Sequence, residues 1–269
     1  MIETGTFEEV TQIKMSREID GRAVYWVAAY LVDGLLIDTG CSYTSKELVA
    51  FLKGKDVRQA VNTHFHEDHV GGNREIMEAL GIEFYAHPES VPLIAERPRL
   101  YPYQEMVWGY PEPSSVRPVP DLVRTDRYAF RIIETPGHSA GHIALAELSK
   151  GWFFTGDLYA REKPKFIRPE ERIGKIMASM RMIMDAAGER LVLFTSVGKI
   201  VEDGRAALSN CLAYLTGLAA TAKELAGKGL SDREIMGRMF GGEHNFAQIT
   251  NGQYTSLNLV RSLLEVDGK

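Results

Sequence analysis

The feature that most constrains this 269-residue chain is the run His64-Phe65-His66-Glu67-Asp68-His69, three imidazoles and two carboxylates in a sequence with seven histidines in all. Residues two apart on an extended segment point the same way, so His64 and His66 can grip one ion together. Asp68 and His69 fall where the chain must turn toward a following helix, and can face a neighbouring ion. Imidazole combined with carboxylate suits zinc, iron or manganese. An apolar strand before the run and Gly71-Gly72 after it supply what an ion-binding turn needs. One such run cannot close a coordination sphere. The remaining donors must come from elsewhere, so the fold has to bring distant strand ends to one place.

The pattern around the run predicts alternating strands and helices, an α/β architecture. Residues 24–32 are aromatic and β-branched, Asp33-Gly34 is a hairpin turn, and residues 35–37 form a short strand that Asp38-Thr39-Gly40 ends. Thr44-Ser45-Lys46-Glu47 reads as a capping box for a helix to about residue 52, with Gly54 as its stop. A strand at 60–62, a helix at 73–80 closed by Gly81, and a strand at 82–86 follow. Residues 87–120 break the rhythm, with eight of the eleven prolines and Tyr101, Tyr103, Trp108 and Tyr110 among them. Two readings of 88–120 stand: a proline-stiffened surface connection, or an insertion or lid whose aromatics face substrate. Strands resume at 128–134, 143–148, 151–155 and 191–195. Helix is expected over 170–187, where Ile173, Ile176, Met177, Met180, Ile183 and Met184 make a core stripe. Residues 205–269 read as mostly helical, in segments at 205–226, after the capping box Ser231–Glu234, and at 255–265.

Composition narrows the function classes. Hydrophobic residues at 45% and charged residues at 25% allow a core without disulfides, so Cys41 and Cys211 read as free thiols in a reducing compartment. The net charge of −5 argues against a nucleic-acid partner held by a basic surface. Apolar runs reach about eight residues, against the roughly twenty that span a bilayer, so no membrane partner is expected. The first ten residues hold Glu3, Glu8 and Glu9 and no apolar stretch, which predicts no secretory signal and a cytoplasmic location.

Two further strand ends offer donors. Thr135-Pro136-Gly137-His138 follows a strand and aims an imidazole at its edge, and Thr155-Gly156-Asp157 places a carboxylate where it can bridge two cations. With HFHEDH at 64–69, TPGHSAGH at 135–142, TGDLY at 155–159 and IDTG at 37–40, the chain resembles the metallo-β-lactamase-fold hydrolase superfamily, with glyoxalase II and lactonases among the similar members. The resemblance covers residues 24–160. It implies a four-layer αββα sandwich with the site at one edge; with the residues read above, the expectation is a single domain over 1–269 with a Pro-rich insertion or lid at 88–120 and C-terminal helices over 205–269. It also implies His64, His66 and His138 at one metal, Asp68 and His69 at another, Asp157 between them, and Asp38 orienting ligands behind them. Zinc, as one or two ions, is the expected cofactor, with iron or manganese as alternatives.

One position departs from the pattern. Where the superfamily supplies a last histidine, this chain has Val197, which cannot ligate. A weaker two-ion site, a one-ion site, or a replacement ligand from elsewhere all remain open, with His244 the candidate replacement. His87 is read as near the site at best, and His142 as a hydrogen-bonding residue of its turn.

A divalent ion lowers the pKa of bound water from about 15.7 towards 7 and stabilises negative charge on a carbonyl or phosphoryl oxygen. The implied activity is hydrolysis of a small ester, thioester or lactone by metal-activated water. Asp68 or Asp157 would orient that water and pass on its proton, and Tyr159 would donate its hydroxyl to a substrate oxygen. Arg161, Lys163, Lys165, Arg168, Arg172 and Lys175 read first as a solvated face, and second as a site for an anionic group on a small-molecule substrate. The alternatives are a one-iron sulfur dioxygenase and a non-catalytic binding or regulatory protein. β-Lactamases proper, nucleases and flavodiiron reductases fit less well.

Overall fold

The computed structural model describes residues 1–266. Its central strands carry buried side chains on both faces, and such strands must be covered on both sides. The first sheet is built from β1 (Ile2–Phe7), β2 (Val10–Met15), β5 (Val27–Val32), β6 (Leu35–Ile37), β7 (Gln59–Val61), β8 (Glu83–Ala86) and β9 (Arg117–Pro118), while β3 (Glu18–Ile19) and β4 (Arg22–Ala23) pair as a separate hairpin. The order is β1-β2-β5-β6-β7-β8-β9, antiparallel as far as β6 and parallel beyond it. The second sheet runs β10 (Leu122–Arg124), β11 (Ala129–Glu134), β12 (Ile143–Glu147), β13 (Trp152–Gly156), β14 (Val192–Thr195) and β15 (Ile200–Val201), with β13 and β14 parallel and the other pairs antiparallel.

Strand alternation sorts the side chains into three cores. Ala28, Tyr30 and Val32 of β5 point at the second sheet, where the Tyr30 ring lies 5.4 Å from both Phe154 and Phe194. Their neighbours Ala29 and Leu31 face outward, into a core shared with α1 (Ser45–Leu52), α2 (Asn73–Leu80), α3 (Val91–Ile94) and α4 (Pro102–Val107). On the far side Phe153 and Leu193 pack beneath α5 (Ile173–Ala186), α6 (Gly204–Gly227), α7 (Asp232–Phe240) and, beyond the short α8 (Phe246–Ile249), α9 (Ser256–Leu264). Helix, sheet, sheet and helix therefore succeed one another.

Strand direction positions the site. β6 and β7 are parallel, as are β13 and β14, and β11 shares their sense because it is antiparallel to β12, which is antiparallel to β13. The C-terminal ends of β6 and β7 and those of β11, β13 and β14 lie on one edge of the sandwich. Backbone bonds join the sheets there, from Ile143 N–H to the Thr63 carbonyl (2.9 Å) and from Ala28 N–H to that of Ser196 (2.6 Å).

Several expectations change. Thr44 does not cap α1; its hydroxyl donates back to the Cys41 carbonyl at 3.0 Å, because a one-turn helix at Ser42–Thr44 precedes it. Residues 88–120 are neither a bare connection nor structureless, since they hold α3, α4 and β9, which extends the first sheet. The helical region expected over 205–269 contains α6 to α9, and its last residues, 267–269, lie outside the described residues. Among the described residues, no helix is long and apolar enough to cross a membrane.

Candidate metal centre

Each strand end at this edge delivers a donor or its support. Asp38 leaves β6 with a left-handed backbone (φ 60°), which aspartate tolerates better than most residues. Its carboxylate accepts from the Thr63 N–H (2.7 Å), the Thr63 hydroxyl (2.8 Å) and His69 Nδ1 (2.8 Å). Having given its proton to Asp38, the Thr63 hydroxyl accepts from His64 Nδ1 at 3.1 Å. His138 Nδ1 in turn donates to Glu171 at 2.9 Å. All three rings thus carry hydrogen on Nδ1 and turn the Nε2 lone pair inward.

His66 turns the other way. Its Nδ1 lies 2.9 Å from His64 Nε2 and 3.0 Å from His138 Nε2. One proton on that nitrogen serves one of the two lone pairs well, and a cation serves all three. His64, His66 and His138 form one set able to hold a metal ion; His64, His69 and Asp157 form another. Asp157 stands between them, Oδ1 at 3.2 Å from His69 Nε2 and Oδ2 at 3.2 Å from His138 Nε2. His69 Nε2 is fully buried yet has no hydrogen-bond partner, as a lone pair aimed at a common point would be. The donors therefore fit a divalent cation. The tight second set contains His64, whereas the sequence pointed to Asp68; Asp68 Oδ2 stands off at 3.9 Å from His69 Nε2, facing a cavity.

The crowding of imidazoles and carboxylates pulls the site's groups in opposite directions. Burial and the surrounding imidazoles hold His64 well below its ordinary pKa, and burial with the Arg168 guanidinium does the same for His66. Burial also opposes charge on His69 and His138, but the nearby carboxylates prevail and raise both. Asp157 stays ionised despite burial, held by His138 and His69. Burial pushes Asp68 up to about 7, against the pull of His69. Burial takes His142 down to about 3; neutral, it accepts the Asp157 N–H on Nε2 at 3.1 Å and bonds Thr135 through Nδ1 at 2.8 Å.

Two glycines allow this packing. A Cβ on Gly71 would lie 2.4 Å from the Ser42 nitrogen, and one on Gly156 (φ 48°) would lie 2.8 Å from His142 Nε2. Backbone fills the space in the first case and a site histidine in the second.

Other candidates fall elsewhere. Tyr159 is buried in the core beneath the C-terminal helices, near Cys211, so it does not serve as a hydroxyl donor at the site. His244 is exposed; it stacks near Phe166, accepts the Phe246 N–H on Nδ1, and joins neither donor set. Val197 follows β14 and lines the cavity beside Ser196, whose hydroxyl donates to Asp157. His87 bonds Glu134 at 3.4 Å, outside the donor sets.

The sequence reading missed the supports. Arg168, placed on a solvated face, is 5% exposed, with Nη1 3.4 Å from both His66 ring nitrogens and Nε donating to the Tyr254 hydroxyl at 2.8 Å. Glu67 is 3.9 Å from Arg168 and accepts from Gln104 of α4 at 2.8 Å, tying residues 88–120 to the site. Glu171 and Thr63 were equally unflagged. Glu171 follows a buried arginine by three residues, a hint only in hindsight.

Comparison with known proteins matches these observations. A family model described as the metallo-beta-lactamase superfamily covers residues 27–192. The chain is similar to the hydroxyacylglutathione hydrolase GloC of Haemophilus influenzae, 30% identical over 36% of this chain and 47% of that one. It is also similar to the probable metallo-hydrolase YybB of Bacillus subtilis, 28% identical over 52% of this chain and 63% of that one. The match thus spans about half the length of these relatives. A metallo-beta-lactamase family protein from Thermus thermophilus shares the fold at a TM-score of 0.66, with 18% identity over 94% of this chain and 92% of that one.

Proposed function

This chain belongs to the metallo-beta-lactamase superfamily, and on that premise we propose that it is a metal-dependent hydrolase of a small ester, thioester or lactone. The observation that carries the reading is the buried, unpartnered His69 Nε2 beside three converging ring nitrogens, with His138, Asp68 and Asp157 opening onto a cavity. His64, His66 and His138 would hold one ion, and His69 and Asp157 with Asp68 a second; zinc is the first choice, with iron or manganese as alternatives. When bound, such an ion acidifies water and stabilises negative charge on a carbonyl oxygen. Asp38, Thr63 and Glu171 hold the rings in the required tautomer. Asp68 faces the cavity with no protein hydrogen-bond donor among the described residues, so its carboxylate is free to orient water and carry a proton toward a leaving group. Residues 88–120 act as a lid, bringing Tyr103, Met106 and Trp108 to the cavity wall. In this reading residues 1–269 work as one cytoplasmic domain on a small molecule, without nucleic acid or membrane.

Val197 favours a second reading, in which a single iron supports a sulfur dioxygenase. Metal analysis with a turnover panel separates them: hydrolysis of simple thioesters or lactones by zinc-loaded protein supports the first. Oxygen uptake with a persulfide by iron-loaded protein alone supports the second. Full loading without turnover in either assay would leave a binding protein.

A further inference from the structure

Beside the donors the chain encloses a cavity of about 480 Å³ whose walls change character along their length. Asp68, His138, Asp157 and Ser196 line one part. Another part is formed by Ile173, Ile176 and Met180 of α5 with Cys211 and Leu215 of α6, all at most 8% exposed. Ala160, Pro164, Phe166 and Ile167, from the segment after Asp157, cover the same space. Exposed Tyr25, Met106 and Ile249 form its rim. Protein cores rarely leave voids larger than a water molecule. A space of this size, inserted between two core helices and continuous with the donor edge, has the dimensions of a ligand pocket.

The chemistry of the walls selects the occupant. Polar side chains gather at the donor edge, among them Asp68, His138, Asp157, Glu171 and Ser196, with Arg161 on the cover over the Phe166 ring, whereas the wall from α5 and α6 offers isoleucine, a pliant methionine, leucine and one thiol. Burial pushes the Cys211 thiol up to about 12, so it stays protonated and is spent on a weak 3.9 Å contact with the Arg161 carbonyl. A polar group carried to that wall would lose water without replacement. The ligand must therefore be polar at one end and apolar at the other.

We infer that the cavity receives the aliphatic acyl chain of the substrate, with the scissile carbonyl left at the metal-type donors; this rests on the hydrolase reading above. Each methylene that leaves water for the cavity raises kcat/KM about fourfold until the helical end is filled.

Two measurements on the zinc-loaded protein test this: turnover of straight-chain acyl thioesters of about four to twelve carbons, and calorimetric binding of the corresponding alkanoates. Both should strengthen with chain length, and Leu215→Trp, with Met180→Phe as a second variant should the first not fold, should move the optimum to shorter chains. Turnover that ignores chain length, with unchanged behaviour in the variants, overturns the inference and leaves the hydrolase reading intact. Chain-dependent alkanoate binding that the variants cap, without turnover of any thioester or lactone, keeps the pocket and removes the hydrolase. Neither chain-dependent binding nor turnover removes both.

Discussion

Asp33 and Asp38 flank the same three-residue strand, β6, and both take a left-handed backbone, at φ 47° and 60°. Their surroundings are opposite. Asp33, its side chain 12% exposed, closes the β5–β6 turn and accepts from the Arg127 N–H at 2.7 Å and from the guanidinium of that exposed arginine at 3.0 Å. Around it the loops of the two sheets are laced by charge pairs: Arg58 with Asp126 at 2.6 Å, Arg190 with Glu8 at 2.5 Å, and Lys150 with Glu9 at 3.4 Å. Asp38, 3% exposed, sits behind His69, whose inward Nε2 has no hydrogen-bond partner. Each edge closes the sandwich, one with opposite charges in water and the other with like donors out of water. Exposed pairs contribute little each, while buried donors without a partner are costly. The first arrangement serves stability, and the second is tolerable only if something cationic belongs there.

The sharpest break in this contrast is loss of a donor. His66→Ala or His138→Ala should abolish uptake at the three-histidine set and lower kcat by about a thousandfold or more, several kcal/mol of lost transition-state stabilisation. Metal content by mass spectrometry and kcat check this; unchanged uptake would undo the contrast. Chelation comes next. At free metal about 100 to 1,000 times its Kd, loading should add about 2.7–4.1 kcal/mol of stability, and its removal should lower Tm accordingly. High salt, acting on the other edge, should shift Tm far less.

Paired substitutions at the two aspartates sharpen the comparison. Asp38→Asn should weaken metal affinity about 10–100-fold in a competitive chelator titration, because it disturbs the His69 tautomer; Asp33→Asn should leave affinity unchanged. The smallest effect is on acid stability. Hydrogen bonds from Thr125 and Arg127 outweigh burial and hold Asp33 below its usual pKa. Its contribution is therefore complete above the unfolded-state value and disappears as pH falls through the lower folded one. Asp33→Asn should flatten the acid limb of the metal-free stability profile; an unchanged limb would remove Asp33 from the account.

Much of the donor edge is legible in sequence because its groups are contiguous. HFHEDH declares itself within six residues, and PGH and GD follow strands whose apolar runs are plain. Asp33-Gly34 likewise announces its turn, confirmed by positive φ at both positions. The supports are not legible, because their identity depends on partners distant in the chain. Arg168 reads in sequence as one of six cations of a solvated face or an anion site, and only its contact with His66, 102 residues away, distinguishes it. Thr44 has the right spacing for a cap but not the geometry, since the preceding turn takes its hydroxyl. Tyr159 and His244 were chosen for chemistry alone, and packing sent one into the core and the other to the surface.

The segment from Asp157 to Glu171 carries a donor at its start, the cover of the cavity in its middle, and the buttress of His138 at its end. Bore and coordination are consequently inherited together. A substitution that reshapes the cover also tugs on both anchors, so the bore of the cavity and the placing of the donors are coupled through one short stretch of chain.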